Sequence, residues 1–125
     1  MALTKSEIKY KIDTLTWEKN NCIGTRDNYK KSLSYANKLV SNLKSGISYL
    51  NTTKDHMKKN FTINGKTADG GKIEKTATNV NGIVKKLNNT IIPRINQEIN
   101  SLNNEINNLT YRINSLWNDY YNAKS

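Results

Sequence analysis

A frame of positions spaced alternately four and three residues apart, at 8, 12, 15, 19, 22, 26, 29, 33, 36, 40, 43, 47, 50, 54, 57 and 61, collects the apolar side chains of the first half of the chain. Thirteen of the sixteen are apolar: Ile8, Ile12, Leu15, Cys22, Tyr29, Leu33, Ala36, Val40, Leu43, Ile47, Leu50, Met57 and Phe61. Lys19, Arg26 and Lys54 break the run. A 3.5-residue repeat sustained this far predicts a helix that winds against another helix. The second half repeats the pattern through Ile73, Ala77, Val80, Val84, Leu87 and Ile91. It then resumes, out of phase, through Ile95, Ile99, Leu102, Ile106, Leu109, Ile113, Leu116 and Tyr120. Pro93 lies within the phase shift and cannot donate to the carbonyl of Asn89, so a kink or local unwinding is expected there.

Helix ends are also written in the chain. Thr4-Lys5-Ser6-Glu7 has the form of a capping box, and Asp69 before Gly70 is a candidate second N-cap. Glycine clusters only in NGKTADGG, which marks the connection, while Gly24 is a candidate weak point in the first helix. These signals predict one all-α domain over residues 1–125, an antiparallel two-helix hairpin of coiled-coil character. Its helices cover about 4–60 and 70–122, with the turn at about 62–70. At 1.5 Å per residue each helix is on the order of 75–80 Å long, and both termini fall at one end.

Several large side chains fall off this seam: Leu3, Tyr10, Trp17, Ile23, Tyr35, Leu39, Tyr49, Ile83, Ile92, Tyr111, Trp117 and Tyr121. Leu3, Tyr10 and Trp17 recur every seven residues as a second stripe. In a hairpin that stripe lies near Tyr111, Trp117 and Tyr121, an aromatic surface suited to a partner; isolated exposed aromatics are the plainer reading.

Composition adds charge to the picture. The 125 residues carry 20 Lys and Arg against 10 Asp and Glu, a formal net charge of +10. Residues 28–94 hold thirteen basic and three acidic side chains, whereas 1–27 hold five and four and 95–125 hold two and three. The turn-proximal half is therefore the basic one, with Lys30, Lys31, Lys58 and Lys59 as its representatives. It serves either as a solubilising face or as a match for an acidic partner. A mean hydropathy of −0.79 leaves no candidate membrane span, and the start MALTKSEIKYKID has no Sec-type apolar segment. One Cys and one His argue against a disulfide framework or a zinc site.

Candidate chemistry is thin. Gly65-Lys66-Thr67 resembles the end of a phosphate-binding loop, yet residue 60 is Asn and no apolar strand precedes it. His56 lies next to seam residue Met57 with no Cys near it in sequence, and Cys22 takes a seam position as a small hydrophobe. The sequons at Asn51, Asn60, Asn88 and Asn108 are expected by chance among 21 asparagines. Neither an enzyme nor a cofactor or small-molecule site is indicated.

The connection is more informative. Ile63-Asn64-Gly65-Lys66-Thr67-Ala68-Asp69 resembles the W-x-G-x-x-A-[DE] turn of the small helical hairpins exported by type VII secretion systems, in particular the LXG-associated α-helical proteins. Gly65 permits a tight path, Ala68 lets the second helix start close to the first, and an apolar residue before the glycine plugs the seam. The chain departs from the family in having Ile63 or Phe61 in place of Trp. It departs again at WNDYYNAKS, where Lys124 and Ser125 stand four residues after Tyr120 and Tyr121 and no acid completes an export signal. The resemblance implies a non-catalytic, cytoplasmic Gram-positive adaptor. Its partner would be the helical N-terminal domain of an LXG-type toxin, with or without a second small helical protein, and it would support that toxin's type VII export or be exported with it. Tyr10, Trp17, Tyr111, Trp117 and Tyr121 are the candidate partner-binding residues, and Ile63, Gly65, Ala68 and Asp69 form the turn motif. The alternative is a basic coiled coil that binds nucleic acid or plays an architectural part, for which a net charge of +10 supplies phosphate attraction. The absence of a groove-reading module disfavours it. A structural coiled coil of phage or cell-surface type is the third reading, and a stable self-trimer would mark it.

Overall fold

The computed structural model describes residues 2–60, 62, 63, 66, 67 and 70–124, with side chains at 2–57 and 71–124. Its elements in chain order are α1 (Lys5–Asn60), β1 (Thr62–Ile63), β2 (Lys66–Thr67), α2 (Gly70–Lys86), a π-helical turn (Leu87–Ile91) and α3 (Ile92–Asn122). Among the described residues the fold is helical apart from a two-residue antiparallel strand pair, Thr62 with Thr67 and Ile63 with Lys66, and its helices pack together. The turn-motif residues Gly65, Ala68 and Asp69, the side chains of Ile63, Lys58 and Lys59, and the candidate cap at Asp69 lie outside the described residues.

Helix α1 begins where the sequence caps it. The Glu7 amide donates to Thr4 Oγ1 at 3.2 Å and the Ile8 amide to the Thr4 carbonyl at 3.0 Å. The Glu7 carboxylate accepts from the Thr4 hydroxyl at 3.2 Å, so the side chains close the box on each other. Gly24 does not interrupt the helix, which runs through it unbroken.

The chain forms two compact units, residues 1–32 with 95–125, and residues 33–94. In the first, the amino-terminal part of α1 packs on α3. Ile8, Ile12 and Leu15 are buried on one side, Ile99, Ile106 and Leu109 on the other, with Ile12 and Leu109 almost fully enclosed. Partners across this unit run in opposite order along the two segments. Lys5 lies over the Tyr120 ring at 5.3 Å, Lys9 over Trp117 at 5.6 Å, and Arg26 donates to Asn103 Oδ1 at 3.1 Å. In the second unit Val40, Val84 and Leu87 form a buried cluster, flanked by Leu43, Ile47 and Ile92.

Every described frame position of α1, from Ile8 to Met57, is buried or half-buried, including the polar Lys19, Arg26 and Lys54. The second half corrects the sequence reading at one point: Ile91, read as a seam residue, is 39% exposed, while Ile92, read as off the seam, packs against the Val40–Val84–Leu87 cluster. The π-helical turn explains the exchange. The Ile92 amide reaches back five residues to the Leu87 carbonyl, so one extra residue enters the turn and the inward-facing step lengthens from four to five. After it, Ile95, Ile99 and Leu102 resume spacings of three, four and three from Ile92. Pro93, which cannot donate to Asn89, follows directly; the irregularity expected around it takes this form.

Candidate partner-binding surface

Most large apolar side chains off the seam are exposed, and those of the first unit are concentrated on a few helical positions. Tyr10 and Tyr111 are each 74% exposed and Trp17 is 67% exposed, with Leu3 and Tyr121 also at the surface. Tyr10 and Trp17 keep their seven-residue spacing on α1 and share one of its faces, whereas Leu3, the third member of the expected stripe, precedes the helix and its Thr4 cap. Trp117 differs from the rest. It is half-buried, stacked on Tyr121 at 5.8 Å between centroids, edge-on to Tyr120 at 5.3 Å, and covered by Lys9. Its ring is thus engaged within the unit as an aromatic cluster with a cation above it, worth on the order of 1 kcal/mol per contact.

Tyr10 and Tyr111 come together across α1 and α3. They line an open hollow of about 520 Å³ with Lys11, Thr14, Leu15, Arg112, Ser115 and Leu116. Two i, i+4 pairs on each helix build it: Tyr10/Thr14 and Lys11/Leu15 on α1, Tyr111/Ser115 and Arg112/Leu116 on α3. Small Thr14 and Ser115 set beside the two rings leave the depression. The Thr14 hydroxyl donates to the Tyr10 carbonyl at 3.0 Å, so its proton is engaged within the helix. A second hollow at the chain ends is lined by Leu3, Ile8, Asp119 and Asn122, among others.

Of the basic candidates, Lys30 and Lys31 are exposed on α1. Charge divides unevenly between the units: residues 33–94 hold eleven basic and three acidic side chains, net +8, against nine and seven, net +2, in the rest of the chain. Cys22 is a half-buried free thiol on the seam frame. Among the described residues no group of three His, Cys, Asp or Glu is placed to hold a metal ion, and no helix is long and apolar enough to cross a membrane.

Sequence reasoning missed two features, one at this surface and one in the connection between the helices. It placed Trp117 off the seam without its intramolecular cluster, and it did not anticipate the strand pair, although Asn64-Gly65 between two short β-competent dipeptides is the usual signal of a two-residue hairpin. No protein-family model matches the chain, and no curated protein or solved structure shows significant similarity to it.

Proposed function

We propose that the chain is a non-catalytic adaptor that binds the helical N-terminal domain of an LXG-type toxin and supports its export by a type VII secretion system. In this reading it folds as an antiparallel hairpin, its two arms meeting along the heptad frame. The observation that carries it is the exposed face of Tyr10, Trp17 and Tyr111 beside an otherwise ordinary helix-on-helix seam. Large aromatics left in water on a heptad spacing suit a further helix laid alongside. Such residues are also the kind that dominate protein interfaces. The family resemblance of the Ile63–Asp69 segment supplies the identity of the partner. The excess charge of residues 33–94 supports electrostatic steering toward an acidic partner domain.

Co-expression with the helical N-terminal domain of an LXG-type toxin tests the reading. A stable complex with the toxin's N-terminal domain, formed in moderate salt and without nucleic acid, is the expected result. Failure to form one, together with retention on duplex DNA that collapses as salt rises, would replace the adaptor by the nucleic-acid reading.

A further inference from the structure

The hollow between Tyr10 and Tyr111 has a chemistry more specific than an apolar patch. It is lined by Leu15, which is buried, by Leu116, which is half-buried, and by Tyr10 and Tyr111, both largely exposed. The charged side chains lining it are Lys11 and Arg112, one on each helix and both exposed. Asp13, the acid nearest in sequence on α1, is held by Lys9 at 2.6 Å.

We propose that this groove is the docking site for an amphipathic helix of a partner protein, with apolar residues at four–three spacing flanked by Asp or Glu. The proposal deepens the adaptor reading, on which the choice of a protein partner rests. Three features favour a helix. The groove lies between two packed helices, where a third can lie alongside both. The Tyr10–Trp17 pair carries the same surface over one heptad of α1, about 10 Å at 1.5 Å per residue, two turns of a helix laid alongside. Finally, the 4–3 frame of α1 is the pattern such a helix would have to match. The acidic flanks follow from Lys11 and Arg112, which stand at the rim where opposite charges select a partner and like charges reject one. A second copy of this chain fits less well, because opposing one groove to another sets the same two cations against themselves.

Panning the full chain against displayed 18-residue helices tests this directly. The helices carry fixed apolar positions at four–three spacing and flanking positions randomised among Glu, Gln and Lys. The wild-type chain is expected to enrich Glu at the flanks, and the Lys11→Glu/Arg112→Glu variant to enrich Lys instead. Selected helices are expected to bind Tyr10→Ala/Tyr111→Ala at least about tenfold more weakly, as for interface aromatics. All four residues are exposed, and circular dichroism checks that the variants keep their helix. The proposal is overturned if no helix is enriched, if neutral or Lys-flanked helices win on the wild type, or if the tyrosine changes leave binding intact. A wild-type dimer that the tyrosine changes dissolve also overturns it, because a second copy would then cover the groove. Toxin binding that survives a failure here leaves the adaptor reading standing with another docking face; charge-selective helix binding without toxin binding keeps the groove and removes the adaptor assignment.

Discussion

Leu109 and Ile12 are the most enclosed side chains of the first unit, at 1% and 2% exposure, and they show what a seam residue contributes in a fold this thin. Truncating Leu109 to Ala is expected to cost about 2–5 kcal/mol, the range for buried leucines, which thermal or urea unfolding will report. A cost below about 1 kcal/mol would mean that α3 does not pack there. Gly24 presents the opposite case. A Cβ built on it meets nothing within 4 Å and the helix runs straight through, so Gly24→Ala should stabilise by about 0.5–1 kcal/mol, seen as a raised melting temperature. Arg26 occupies a seam position, yet its guanidinium bonds Asn103 across the helices and Asp27 beside it. A polar seam pair of this kind is the means by which coiled coils fix their register.

At the scale of elements, the chain's own pattern was enough to place α1's inward face. Every described frame position is covered, because a repeat that long leaves one self-consistent face. The sequence was not enough at Ile91-Ile92, where two identical side chains in adjacent positions offer either phase and only packing decides between them. The π-helical turn takes up the difference by admitting one extra residue. Two consequences separate phase from proline. Pro93→Ala alone should keep the π turn, because Leu87 and Ile92 still have to face the same cluster. Deleting Asn89 in the Pro93→Ala background should convert it to regular α-helix while leaving the seam in phase, with a melting temperature no lower than that of Pro93→Ala. A cooperative transition lost on deletion would contradict this account. The strand pair at Thr62–Ile63 and Lys66–Thr67 was legible in Asn64-Gly65, but the segment was read as the turn motif between two helices.

For the whole molecule, the exposed aromatic face was partly readable. Heptad spacing marked Tyr10 and Trp17 as one stripe of α1, though it also counted Leu3, which precedes the helix, and the hairpin expectation set Tyr111 near them. The meeting of Tyr10 and Tyr111 over Leu15 and Leu116 depends on which residues lie opposite, which periodicity within a single helix does not encode. Trp117 was equally opaque, since its cover comes from Lys9 on α1. The hairpin has its own test. Spin labels at the exposed positions Glu18 and Asn107 should report the short separation of neighbouring helices, whose axes lie about 8–10 Å apart, and dilution with unlabelled protein should leave it unchanged. Loss of the short distance on dilution would indicate exchange of arms between chains.

The central claim is that aromatic contact, not phosphate attraction, defines what this protein binds. Calorimetric titration of the helical N-terminal domain of an LXG-type toxin, the proposed partner, and in parallel of duplex DNA, into three proteins decides it: wild type, Tyr10→Ala/Trp17→Ala, and the variant with Lys30, Lys31, Lys58 and Lys59 reversed to Glu. Trp17 is paired with Tyr10 because Trp117 is engaged within its own unit. The account predicts that the aromatic variant loses at least about 2 kcal/mol of toxin binding, roughly thirtyfold in affinity, while the lysine variant loses only a few-fold and responds less to salt. Full toxin binding by the aromatic variant, with DNA binding abolished by the lysine reversals, would contradict it.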